Sequence, residues 1–484
     1  MQLFLSLALP AIPEIFLCGM SMLLLMYGVF RQDQAFGPVK NFAVIILAIT
    51  LALVFYTPAP MAAFADMLKM DHFAIFMKIL VLAGAIGALL ISGAYLRRTQ
   101  ADRMEFPILI LFASLGMLLL VSANNLLALY VGLELSSLAL YVLAAMQRDH
   151  LPSSEAGVKY FVLGALSSGL LLYGISLIYG VTGGIGYTEI AVSLTQIQLS
   201  SQILPPSAVI GLVFILAGLA FKISAVPFHM WAPDVYEGAP TPVTAFFAGA
   251  PKIAVLALLL RLLTGPFAPV MLQWQQIIFI ISVASMALGS FAALQQQNMK
   301  RLLAYSSIGH IGFALVGLAA ANAAGIEGVM VYGAIYVVMT LGTFACLLAM
   351  RRNGAYVEAI VDFQGLGKTH PLLAFALTVF MFSMAGIPPL AGFFAKLYVF
   401  LAAIDAGLVA LAVLGVLASV VAAYYYLRII KIMYMEEAKS ALDPATDSGL
   451  NAVIAVTAAA IIFFIIYNAP LLNWVREAAP SLTY

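Results

Sequence analysis

GLAFKISAVPFHMWAPD, residues 218–234, places Lys222 five residues ahead of Pro227 inside an apolar run. A second run, MFSMAGIPPLAGFFAKLYVF at 381–400, varies the same theme, with Gly386, Pro388, Pro389 and Gly392 ahead of Lys396. Proline removes a backbone donor and opens a helix, so carbonyls are freed that must find other partners. Membrane helices broken at corresponding places in two halves point to an ion site near the bilayer midplane.

The rest of the chain fits a membrane setting. Of its 484 residues, 64% are hydrophobic and 9% charged. A soluble domain carries about 25% charged residues, so a water-soluble enzyme is excluded. Apolar stretches lie near 5–30, 40–56, 73–96, 106–122, 125–145, 156–180, 207–231, 240–264, 272–293, 299–321, 326–350, 371–403, 405–430 and 450–470. Fourteen spans of about 22 residues use roughly 308 residues and leave ordinary loops. The expected fold is therefore an all-α polytopic membrane protein of about 14 transmembrane helices. The amino terminus has no basic n-region and carries Glu14 in its apolar run, so it reads as a retained first span.

The basic residues test this count. With the amino terminus outside, fourteen of the 22 Lys+Arg fall on cytoplasmic loops, Lys439 among them. Three, Lys69, Arg261 and Arg476, fall on the opposite side. That bias is what the positive-inside rule requires, and it places both termini on the periplasmic face. Net charge is +1 and points to no nucleic-acid partner. Cys18 and Cys346, the two cysteines, read as small core residues rather than a disulfide framework or metal cluster.

The remaining five basic residues, Lys78, Lys159, Lys222, Lys252 and Lys396, lie inside expected spans, and Glu134 sits within NLLALYVGLELSSLALYVLAAM. Each such side chain costs about 2.5–3.5 kcal/mol at the bilayer centre, on the order of 15 kcal/mol in all, unless it faces protein, water or another charge. Burial disfavours a charged lysine and a nearby carboxylate restores it, so a separable Glu–Lys pair is a tunable proton holder. Glu134 is expected to pair with Lys222, with Lys159 competing for it. Lys252 would relay between halves, and Lys396 would be the last protonatable group. Lys78 fits snorkelling to the interface. His229 and His310 are candidate relay links because histidine titrates near neutral pH. Tyr424, Tyr425 and Tyr426 fit an aromatic interface belt. No phosphate-binding loop, dinucleotide-binding glycine pattern, CxxC or haem-like histidine pair occurs, so the driving energy must come from a partner or an ion gradient.

Spans 7 and 12 are five apart, an odd number, so two five-span units would be inverted relative to each other. The division reads as a three-helix segment at 1–100, repeats at 101–265 and 266–435, and a C-terminal helix in 436–484.

Together, VGLELSSLALYVL, EAGVKYFVLGALSSGLLLYG, GLAFKISAVPFHMWAPDVYEGAPTPVTAFF, KRLLAYSSIGHIGF and AGIPPLAGFFAKLYVF resemble the antiporter-like subunits of proton-pumping NADH:quinone oxidoreductase, respiratory complex I. DVYEGAPTPVTAFF and the lysine at 396 are most similar to the N branch of that family. The resemblance implies two inverted five-helix bundles with broken helices 7 and 12 and a hydrophilic axis parallel to the membrane. It implies proton-transfer roles for Glu134, Lys159, Lys222, Lys252 and Lys396, and none for His310. It further implies a bacterial inner membrane, neighbours of the M, J and K types, and FMN, iron–sulfur clusters and quinone held by other subunits, with no cofactor or metal on this chain. Rival readings are a sodium/proton antiporter subunit sharing the fold, and a non-conducting scaffold.

Overall fold

The computed structural model describes residues 8–31, 35–201, 204–438, 442–443 and 447–482. The start of the first expected span, Lys439 and the extreme termini lie outside the described residues. An amino-terminal group comprises α1 (Ile12–Arg31), α2 (Phe36–Tyr56) and α3 (His72–Arg98). Next come α4 (Glu105–Ser122), α5 (Leu126–Ala144), α6 (Leu151–Thr182), α7 (Tyr187–Ser201), α8 (Pro206–Lys222), α9 (Trp231–Gly238), α10 (Thr241–Ala248) and α11 (Ala250–Thr264). The second half holds α12 (Met271–Ala293), α13 (Met299–Ala320), α14 (Ala323–Ala349), α15 (Pro371–Ala385), α16 (Ala391–Asp405) and α17 (Val409–Met435), followed by α18 (Ser448–Phe463) and α19 (Ala469–Ala478). Among the described residues, eleven helical segments are long and apolar enough to cross a bilayer, and the shorter apolar α8, α15 and α18 bring the number to fourteen. Two small antiparallel hairpins, β1 (Met61–Ala63) with β2 (Leu68–Met70) and β3 (Arg351–Arg352) with β4 (Ala355–Tyr356), are the only strands among the described residues.

Both broken spans stop in the same way. Ser224 (φ 57°) and Gly386 (φ 85°) adopt the left-handed conformation just past α8 and α15. The next amide in each case reaches back to close the helix end, Ala225 to Ala220 O at 2.8 Å and Ile387 to Phe382 O at 3.0 Å. This is the usual way a helix terminus satisfies its last carbonyls. A proline follows three residues later each time, at Pro227 and Pro389, and prevents the helix from resuming at once. Span 7 therefore runs past the expected 231, through an unwound stretch and into α9.

Span 8 is also interrupted, which the sequence reading did not foresee. Gly249 (φ −103°, ψ −92°) separates α10 from α11. Pro251, which has no N–H to donate, sits in the first turn of α11. The 181–206 connection, expected as a loop, contains α7.

The two halves pack in parallel fashion. In the first, α4 lies on α5 and α11, and α6 on α8; in the second, α12 lies on α13 and α17, and α14 on α16. Small residues allow the tightest of these contacts. A Cβ on Gly116 of α4 would come within 2.5 Å of Ser136 N, and one on Gly289 of α12 within 2.5 Å of Gly309 N. The C-terminal α19 returns to α3, where Trp474 meets the Phe76 ring edge-on at 5.0 Å.

Candidate functional site

Three buried lysines mark the interior, and each is held by neutral oxygens. Lys222, the last residue of α8, donates to Ser137 Oγ (2.8 Å) and Tyr141 OH (3.0 Å) on α5 and to Ser168 Oγ (3.4 Å) on α6. Ser168 in turn donates to Glu134. The expected Lys222–Glu134 pair is therefore bridged: among the described residues no direct ion pair joins them. Glu134 is also only half-buried, and its helix exposes Val131 and Leu138.

Lys252, in the first turn of α11, reaches Ser224 Oγ at 2.8 Å and also bonds to Ser307 of α13. Ser307 Oγ lies 2.6 Å from Tyr336 OH on α14. The interruption at Gly249 puts Lys252 in the first turn of a new helix, beside the broken end of α8. Ser224 thus has two roles, closing α8 in a left-handed conformation and presenting its hydroxyl to Lys252. A non-glycine residue there costs about 1–2 kcal/mol. Ser224→Gly is expected to keep or slightly raise the melting temperature of the assembly while lowering proton pumping severalfold. Unchanged pumping in a stable variant would remove Ser224 from the site.

Lys396 of α16 caps the broken end of α15. Its Nζ donates to Met384 O (3.0 Å), Ala385 O (2.9 Å) and Ser419 Oγ (2.8 Å), and it lies 4.6 Å from the centre of the Phe313 ring. The carbonyls freed by the Gly386–Pro389 break are the lysine's acceptors. Between Lys252 and Lys396 lies His310, whose Nδ1 is 2.6 Å from Tyr332 OH and Nε2 is 3.2 Å from Tyr426 OH. Tyr426 OH is also 2.5 Å from Ser306 Oγ. Tyr425 and Tyr426 are buried, which corrects their reading as an interface belt; Tyr424 is exposed and retains it.

Lys159 is placed elsewhere. It is 41% exposed and pairs with Glu155 (2.7 Å) and Asp234 (2.6 Å), away from Glu134. Arg301 joins Asp234 (2.8 Å) to Glu237 (2.9 Å), and Lys300 pairs with Glu358 (2.8 Å). These charges line a cavity of about 650 Å³ between the ends of α6, α9 and α13. His229 sits half-buried on the unwound stretch after α8, with Nδ1 lacking a hydrogen-bond partner among the described residues. The structure does not bring it to the three lysines.

Two buried ion pairs escaped the sequence reading. Lys78 does not snorkel; it is 1% exposed and bonded to Glu14 of α1. Arg261, counted among the aqueous loop residues, is equally buried and makes a bidentate pair with Asp71 at 2.8 and 2.9 Å. Burial alone would raise the Asp71 carboxyl. The Arg261 charge and hydrogen bonds, the Ala74 N–H and the Lys69 charge hold it below its ordinary value. Glu14 is a signal the sequence did contain, since an acid in an apolar run needs a cation. The Asp71 partner lies 190 residues away in the chain, and nothing local announces it.

Among the described residues no group of three or more His, Cys, Asp or Glu side chains is arranged to hold a metal ion. Broken helices, buried lysines and a file of hydroxyls define a polytopic membrane protein of the antiporter-like class. Residues 123–422 match the family described as NADH:quinone oxidoreductase/Mrp antiporter, TM. NADH-quinone oxidoreductase subunit N of Rhodospirillum rubrum is 55% identical over 478 residues, covering 98% of this chain and 97% of its own. A chain of respiratory complex I from Thermus thermophilus with bound aureothin superposes with TM-score 0.81 at 32% identity, over 96% of this chain and 100% of that one. This chain belongs to the NADH-quinone oxidoreductase subunit N family. A chain of the Mrp complex from Dietzia sp., at 21% identity and TM-score 0.78 over 100% of this chain and 98% of that one, shares the fold.

Proposed function

We propose that this chain translocates protons as a non-redox, membrane-arm subunit of an NADH:quinone oxidoreductase, driven by electron transfer in other subunits. One observation carries the proposal. Among the described residues, Lys78, Lys159 and Lys300 each have a carboxylate within salt-bridge distance, whereas Lys222, Lys252 and Lys396 have none. A buried lysine paired with a carboxylate stays charged. One surrounded by hydroxyls and carbonyls can be loaded and discharged, and Ser or Tyr hydroxyls can both donate and accept a proton.

In this reading Glu134, Lys222, Lys252 and Lys396 hold the proton in turn. Glu134 biases Lys222 through Ser168, Lys252 links the halves, and the His310–Tyr426–Ser306 group relays toward Lys396. Side-chain hydrogen bonds form separate groups around Lys222, Lys252, His310 and Lys396, so transfer between groups runs through intervening water or a side-chain rotation. Lys159 acts in the charged cavity beside Asp234, and His229 lies off the relay.

The parallel packing of the two halves and the matched breaks support repeats at 101–265 and 266–435, between a three-helix segment at 1–100 and a C-terminal part in 436–484. The bias of basic residues supports both termini on the periplasmic face of a bacterial inner membrane. Glu134, half-exposed at membrane depth, needs a covering neighbour, which supports assembly against small membrane subunits of the J and K types, with an M-type subunit beside the second half. FMN, iron–sulfur clusters and quinone belong to other subunits in this reading.

The test is Lys222→Ala and Lys396→Ala, made singly in the whole complex. Each is expected to lower NADH-driven proton uptake by inverted membrane vesicles by at least about tenfold in complexes that assemble normally, since one positioned proton-transfer group contributes about 10²–10⁴-fold. Normal pumping by both assembled variants would leave the scaffold reading standing.

A further inference from the structure

A cavity of about 1080 Å³ opens where α17 ends, beside the segment before α15. It has no contact with the three lysine groups. Arg428 and Lys431 line it from one face of α17, three residues apart. Arg428 uses one guanidinium N–H on Leu294 O at 3.1 Å and has further donors. Lys431 is exposed and, among the described residues, has no carboxylate within salt-bridge distance. The one acid in the lining, Glu436, accepts a hydrogen bond from Gln364 at 2.5 Å. Apart from Gln297 and Tyr424 the remaining wall is apolar, including Phe382, Leu427 and Met435, with Leu427 43% and Met435 79% exposed.

We infer that this cavity binds an anionic phospholipid, its phosphate between Arg428 and Lys431 and an acyl chain along Leu427 and Phe382. Three features select this occupant. The cations lie at the end of a membrane-length helix, at headgroup level. Tyr424, one turn before Arg428 and 63% exposed, marks the same boundary. The cavity also lies on the face whose loops carry the excess of basic residues, and basic pockets between helices on that side attract anionic headgroups. A soluble phosphate would leave the apolar wall unused.

The test uses the intact complex in nanodiscs of phosphatidylcholine doped with photoactivatable phosphatidylglycerol or photoactivatable phosphatidylcholine. Peptides spanning 424–436 are expected to be labelled about fivefold more by the anionic lipid, one charge near the surface being equivalent to that factor. Arg428→Gln with Lys431→Gln should abolish the preference while labelling elsewhere, and NADH:quinone activity, stay unchanged. Equal labelling by both lipids, an undiminished preference in the double variant, or absence of label because a neighbouring subunit covers the cavity would each overturn the inference. Full competition by inorganic phosphate would replace the lipid with a free anion and likewise overturn it.

Discussion

Lys252→Met is expected to stop proton pumping, by at least about tenfold, while leaving the complex as stable as the parent or more so. The two effects separate because the side chain does two things. It joins Ser224, beside the broken end of α8, to Ser307 and so to Tyr336, and it is the one cationic side chain among the described residues in that set of hydrogen bonds. Methionine keeps the length and apolar stem but carries no proton. It also removes a buried charge worth about 2.5–3.5 kcal/mol of insertion penalty. A structural lysine would behave in the opposite way, since its loss would lower the melting temperature and leave pumping in the surviving complexes intact. Proton uptake by inverted vesicles and thermal unfolding of the purified complex, measured on the same preparation, distinguish these outcomes. Wild-type pumping in the methionine variant would exclude Lys252 from the relay.

The second large effect concerns assembly. Asp71→Asn keeps an oxygen to cap the Ala74 amide but leaves Arg261 buried without its counter-charge. Breaking a buried pair on one side costs about 3–5 kcal/mol. Asp71→Asn and Arg261→Met should each reduce the yield of assembled complex sharply, and the double replacement should recover most of it. If the double variant is no better than the worse single, the pair is not what holds α3 to α11. The pH dependence follows from the carboxyl being held below its ordinary value. The contribution of such a group is fully present above the unfolded carboxylate pKa and is lost as pH falls through the folded one. The stability gap between wild type and Asp71→Asn should thus stay constant from about pH 8 to pH 5 and narrow only below about pH 4.

The contrast between these two sites shows what local sequence could and could not carry. Lys252 was legible because a charge in an apolar run is expensive wherever the run ends up. Arg261 was misplaced for a related reason: it stands near the end of its span, where snorkelling into water and pairing inside protein leave the same mark on the sequence. Tyr426 went astray because an aromatic triplet beside an arginine looks the same whether its ring faces lipid or His310. The break in span 8 was missed because a glycine and a proline inside a membrane span also suit a continuous, kinked helix, and only the packing of α10 against α14 and α3 commits them to an interruption.

Composition, the spacing of apolar runs and the two proline breaks were enough to determine a membrane bundle of fourteen spans with charge at its centre, because the bilayer penalises each misplaced polar group locally. Tertiary structure alone decided the partners: that Glu134 reaches Lys222 through Ser168, that Lys159 leaves the interior for Asp234, and that hydroxyls and backbone carbonyls rather than carboxylates surround the three deep lysines. Those contacts join helices far apart in the chain, so their energies depend on distances that no stretch of sequence contains.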